Sequence, residues 1–186
     1  MNSESHPLNS GESGLAEQSA QELVTRTEFR FRVRRVREED EPALAEFFRR
    51  VTSEDLRFRF LTSVDEVSHS RLIEMIRVDQ DRTESFLATA DDKGESVIAV
   101  AMLAADANNK TAEVAISIRA DHKGRGIGWT LLDHLANHAQ AKGVRTLEAL
   151  ESRDNHTAIA LEREMGFVAE PVEGDPSVVA LRRRLN

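Results

Sequence analysis

In "FRFRVRRVR", Phe29, Phe31 and Val33 alternate with Arg30, Arg32 and Arg34, a spacing that predicts a half-buried strand. In "EEDEPALAEFFRRV" the period becomes helical, with Leu44, Phe47, Phe48 and Val51 on one face and Asp40 as the expected cap. "TSEDLRFRFL" and "SHSRLIEMIRV" predict two shorter helices. Strands follow: "SFLATAD", the long apolar "SVIAVAMLAADA" and "TAEVAISIR". Turn chemistry at residues 91–94 and 108–110 joins them. Ile127, Leu131, Leu135 and Ala139 then mark an amphipathic helix closed by Gly143. "VRTLEALE" reads as a strand, "NHTAIALEREM" as a helix stopped by Gly166, and "FVAEPV" with "SVVALRRRL" as a closing strand pair. The order predicts a mixed α/β sheet of the α+β kind, with helices on both faces. No internal repeat and no second domain boundary is evident.

At 186 residues, one domain with a sizeable core is expected, over residues 29–186. Residues 1–28 are polar and rich in Ser and Glu, and read as a flexible tail. No signal peptide and no membrane-length apolar run stands out, so the expectation is a soluble, cytoplasmic protein. The absence of cysteine excludes disulfides and thiolate chemistry, and fits a reducing compartment. The net charge of −8 is a poor footprint for nucleic-acid binding. No tyrosine is present.

Between a strand and a helix lies "DHKGRGIGWT". Backbone N–H groups at a helix start are unpaired and carry the positive end of the dipole. Gly124, Gly126 and Gly128 leave them bare, and Lys123 and Arg125 add charge, a recipe for cradling phosphate. A dinucleotide fingerprint needs a third glycine where Trp129 stands, and the Gly-Lys-Ser/Thr of a triphosphate loop is absent. A glycine-rich turn with solvated charges is the plain alternative.

"KGRGIG" resembles the acyl-CoA loop of the GNAT (Gcn5-related) N-acetyltransferase family, whose pattern is Arg/Gln-x-x-Gly-x-Gly/Ala. Lys123, Gly126 and Gly128 take its first, fourth and sixth places. Thirty residues on, Asn155, Ala158, Leu161, Met165, Gly166 and Phe167 match the second signature of that family. Residues 29–185 together are similar to the acetyltransferase domain of bacterial protein lysine acetyltransferases, which usually carry a synthetase-like region that this chain is too short to hold. The resemblance implies a central, mostly antiparallel, splayed sheet flanked by helices. It also implies acetyl-CoA as co-substrate, with no metal, and direct transfer in a ternary complex to a primary amine. A protein lysine is the preferred acceptor, a small amine the rival, and an idle acyl-CoA sensor the non-enzymatic alternative. The cofactor contacts it implies are Ile116, Ser117, Ile118, Lys123, Gly124, Arg125, Gly126, Ile127, Gly128, Asn155 and Ala158. The acceptor pocket is expected in residues 53–77 and the loops near the closing strands. Oligomeric state is left open, a dimer being one option.

A lysine amine has a pKa near ~10.4, so neutralising it at pH 7 costs about 4–5 kcal/mol and needs a base. The resemblance places the catalytic glutamate at Glu113, which otherwise reads as a solvated strand-end residue. A backbone N–H near Ile118 would stabilise the oxyanion. Asn155 is expected to bond the pantetheine arm, or simply to cap its helix. The family's tyrosine acid falls at Glu162, which would serve only if burial raised its pKa; we expect that it does not. His134 and His138, four apart, lack a third metal ligand. His122 and His156 read as surface histidines, Trp129 as packing, and the Arg-rich strand as one charged face rather than a nucleic-acid site.

Overall fold

The computed structural model describes residues 20–78, 82–91 and 95–186. Eight strands form one sheet in the order β1-β2-β3-β4-β5-β6-β8-β7. They are β1 (Gln21–Val24), β2 (Arg30–Arg35), β3 (Thr83–Ala90), β4 (Ser96–Ala105), β5 (Thr111–Ile118), β6 (Thr146–Ser152), β7 (Val168–Pro171) and β8 (Val178–Arg184). Neighbours are antiparallel except β5 and β6, which are parallel. Helices α1 (Glu41–Arg49), α2 (Ser53–Phe60) and α3 (His69–Ile76) connect β2 to β3. Helix α4 (Ile127–Ala141) follows β5, and α5 (His156–Glu164) follows β6.

Burial follows the apolar periods. Phe31 and Val33 are buried while Arg30 and Arg32 are exposed. Ile127, Leu131, Leu135 and Ala139 of α4 pack on one sheet face with Phe86, Ile98, Val114 and Leu147. Leu44, Phe47 and Phe48 of α1 and Leu72 and Ile76 of α3 cover the other face over Leu87, Val97 and Val100. Helices therefore lie on both faces, as expected. Gly143 and Gly166 follow the last residues of their helices at φ 85° and 88°, the left-handed stop that glycine adopts without strain. No helix among the described residues is long and apolar enough to cross a membrane.

Three local readings change. Residues 21–24, assigned by composition to a tail, are strand β1, paired in register with residues 30–33 of β2. Four residues give too short an alternation to stand out from a polar background. Asp40 precedes α1, but its side chain does not cap that helix. Its carboxylate takes two bonds from the Arg34 guanidinium, at 2.6 and 2.7 Å, and one from the Arg37 backbone N–H at 2.7 Å. A bidentate, charge-assisted pair outcompetes a single cap bond. Of the expected turn at residues 91–94, positions 92–94 lie outside the described residues, though β3 and β4 pair antiparallel on either side of it.

One buried carboxylate ties the layers together. Glu84 on β3 is met by Arg35 of β2, His138 of α4 and Lys142 just beyond that helix. Burial opposes ionisation, but hydrogen bonds from His138 and Lys142 and the charges of His138 and Arg35 outweigh it, holding the carboxyl at about 2. A carboxyl lowered in the folded state stabilises above its unfolded pKa, and that contribution is lost as pH falls from about 4.5 toward 2. Glu84→Gln is expected to cost about 3 kcal/mol, the low end for breaking a buried charge cluster. It should also flatten the acid side of the stability profile, read by urea unfolding between pH 7 and pH 3.

Candidate functional site

The parallel ladder between β5 and β6 is three residue pairs long: Thr111 with Thr146, Ala112 with Leu147, and Glu113 with Glu148. Beyond Glu113 the strands part. β5 stays with β4 as far as Ile118, and β6 stays with β8 as far as Ser152. A wedge opens between them, lined by backbone groups of residues 114–118 that have no partner on β6. The expected splay is present.

Glu113 stands where the wedge begins. Ala112 and Val114 belong to the core under α4, so Glu113 between them points to the opposite face, where α2 lies over β5 and β6. Burial raises its carboxyl pKa, the Arg59 guanidinium works against that, and Glu148 adds to it. Arg59 enters from α2, within 4.0 Å of Met102 Sδ. Burial lowers its pKa, and the charges of Glu113 and Glu151 support the cation. Neither Arg59 nor Glu151 was singled out from sequence.

The glycine stretch begins α4, as expected, but its three glycines do different jobs. Gly124, at φ 74°, has open space where a Cβ would sit. Gly126, at φ 80°, is the N-cap, and a Cβ there would lie 3.2 Å from Thr25 Cβ. A Cβ on Gly128 would meet Ile118 Cδ1 and Leu161 Cδ1 at 3.3 Å, so this glycine lets α5 pack against the start of α4. The first N–H groups of α4, at Ile127, Gly128 and Trp129, have no side-chain cap. The Ile127 side chain is buried in the core, leaving its backbone to face the loop.

Beneath the loop, the buried Arg119 binds Asp121, Ser96 Oγ and the Val97 carbonyl. His122 is buried against Asp121 and Phe29, not on the surface as expected, because the Arg119–Asp121 pair gives its ring polar partners inside. Arg119 and then His122 hold the Asp121 carboxyl far below the usual carboxylate range. Lys123 turns away from the loop. Its ammonium sits 2.6 Å from both oxygens of Asp55 on α2. Arg125 lies over the Phe29 ring at 5.0 Å. The turn between β1 and β2 docks here too: Thr27 Oγ1 donates to the Arg125 carbonyl at 2.9 Å. Arg26 stacks on Trp129 at 3.7 Å and pairs with Glu164 at 3.2 Å.

Across the wedge, Asn155 does cap α5, its Oδ1 accepting from the Ala158 N–H at 3.4 Å. Its Nδ2 donates to Glu151 at 2.7 Å, so both ends of the amide are engaged. Ile116 and Ile118 pack partly against the core, and Ser117 Oγ is buried without a partner among the described residues. Glu162 overturns its expectation. Its residue is only 6% exposed, because it lies on the inner side of α5 facing Glu151. Among the described residues no cluster of three or more His, Cys, Asp or Glu is placed to hold a metal. His138 belongs to Glu84, His134 lies edge-on to Phe86, and His156 is exposed.

The sequence pattern of the Acetyltransferase (GNAT) family matches residues 37–167. An acetyltransferase of Pseudomonas aeruginosa is 28% identical over 154 residues, covering 82% of this chain and 83% of its own. Among solved structures, the GNAT domain of S. lividans PAT superposes with a TM-score of 0.81 at 25% identity, over 89% of this chain and 97% of that one. Spermidine N-acetyltransferase from Vibrio cholerae, solved with CoA and spermine, shares the fold at a TM-score of 0.67 and 18% identity, over 83% of this chain and 95% of its own.

The environments of Gly124 and Gly126 predict a graded result in calorimetric titrations with acetyl-CoA and in thermal unfolding. Gly124→Asp has room, so it should cost only about 1–2 kcal/mol of backbone strain while weakening binding tenfold or more by charge. Gly126→Asp adds the clash with Thr25 and should lose both stability and binding.

Proposed function

This chain belongs to the GNAT acetyltransferase family and is an acetyl-CoA-dependent N-acetyltransferase; on that basis we propose that it transfers acetyl directly to a primary amine, a protein lysine first, with Glu113 as the base. The observation that carries this reading is the place of Glu113: half-buried, at the last residue pair before the sheet opens, directed under α2. An ammonium entering between α2 and the sheet meets this carboxylate first. Glu113 takes its proton, and the neutral amine then reaches the thioester carbon from the acceptor side. On the other side, the bare N–H groups at the start of α4 and the open space at Gly124 suit the pyrophosphate of the co-substrate. Backbone N–H groups along residues 114–118 that face away from β4 suit the oxyanion. Asn155 reaches the pantetheine arm only by exchanging a bond it already makes.

Lysine as acceptor is supported by the likeness to the PAT domain over nearly the whole chain. A small polyamine is the second reading, since the carboxylates of Glu113 and Glu151 make the wedge attractive to a cation. Matched assays with a lysine peptide and with spermidine separate the two.

Glu113→Gln is expected to keep acetyl-CoA affinity in calorimetry while turnover falls roughly 10²–10⁴-fold, the usual worth of a positioned base. Burial raises the Glu113 pKa, so wild-type turnover should climb with pH through a value above that of an ordinary carboxylate. That limb should vanish in the variant. Unchanged turnover would leave an acyl-CoA-binding sensor as the better description.

A further inference from the structure

No tyrosine is available to protonate a departing thiolate. Two carboxyls stand on the opposite wall of the wedge. Glu162 on α5 and Glu151 on β6 bring their carboxyls together, and Glu162 is almost fully buried. Two carboxyls meet in a buried place only if one of them holds a proton. Asn155 Nδ2 donates to Glu151 Oε2 at 2.7 Å, so an ionised oxygen is best placed on Glu151. Glu162 Oε2 is buried without a partner among the described residues, an oxygen with bonding capacity to spare. Leu161, the neighbour of Glu162, converges with Ile118 on the space beside Gly128, so α5 is packed against the foot of the glycine loop. Glu151 is within the field of Arg59, which also faces Glu113.

We propose that Glu151 and Glu162 act as one acid, holding a single proton between them and delivering it to the sulfur of the leaving thiol. This rests on the acetyl-transfer reading of the same wedge. As the amine nitrogen bonds to the carbonyl carbon and the C–S bond breaks, the electron pair of that bond goes to sulfur and the proton of the pair follows. The incoming ammonium sheds two protons over the cycle. One leaves through Glu113 to solvent, and the other is balanced by the proton that ends on sulfur, so the pair is recharged from solvent and no further reactant is needed.

The charged and polar groups facing the pair are few. Burial raises the Glu151 carboxyl, and Asn155, Glu162 and the Arg59 charge work against it. For Glu162, burial and then Glu151 both favour the protonated form.

The test uses the full chain with acetyl-CoA and whichever of the lysine peptide or spermidine it acetylates faster. Infrared spectra should show a protonated glutamic carboxyl at pH 7 in the wild type and none in Glu162→Gln, which keeps the hydrogen bond to Glu151. That variant should bind acetyl-CoA as the wild type does, with kcat lower by about 10²-fold, the low end for a positioned acid. The wild-type fall in kcat on the alkaline side should disappear with it. Glu151→Gln, a second conservative variant, should leave the proton on Glu162 but move that alkaline limb. Absence of the infrared band, or unchanged kcat and pH profile in both variants, would overturn the proposal. Loss of acetyl-CoA binding by the wild type would instead sink the reading beneath it.

Discussion

A three-pair ladder between two parallel strands is the constraint on which this molecule is built. Parallel pairing at Thr111–Glu113 holds the halves of the sheet together, and its end at Glu113 separates them. Had β5 and β6 stayed paired to Ile118, their backbone groups would be satisfied and the wedge would close. The two sheet halves can diverge because each is anchored elsewhere. β5 is bound along its length to β4, and β6 along its length to β8. The polar groups that do chemistry collect at the divergence because only there can they be inside the fold and still reach a ligand.

Charge in the wedge is divided by the two strands. On the β5 side, Glu113 faces α2, and the Arg59 charge works against its burial. On the β6 side, Glu151 and Glu162 face each other, with Asn155 and the Arg59 charge also acting on Glu151. The proposed base and acid are the same residue type, set apart by their surroundings rather than by intrinsic chemistry. Glu148 stands apart from both, its carboxylate held by Arg182 of β8.

The fold was legible because its long elements have clean periods. The buried stripe of α4 and the apolar runs of β3 and β4 specify which faces meet. The short β1 was not legible, since four residues amid polar neighbours carry almost no period. At the site, the resemblance pointed to Glu113, the glycines and Asn155. What it could not convey was direction. Lys123 is beside the glycines in sequence but pairs with Asp55, because the chain leaving the short turn after β5 points its side chain toward α2. Glu162 carries no signal of burial in its composition; only the packing of α5, set by the missing Cβ of Gly128, turns it inward. Arg59 escaped notice because it matters through Glu113 and Glu151, both far away in sequence.

The contact between Thr25 and Gly126 has a consequence for where the folding unit begins. The family match starts at residue 37, and composition suggests residue 29. Yet the side chains nearest the glycine loop from the N-terminal side are Thr25, Arg26 and Thr27, which fill the space beside Gly126, stack on Trp129 and bind the Arg125 carbonyl. A chain trimmed to either boundary would keep every signature residue and still present a loop with one wall missing. The smallest self-sufficient piece of this protein is therefore longer than its recognisable motif, and the extra length belongs to the loop rather than to a tail.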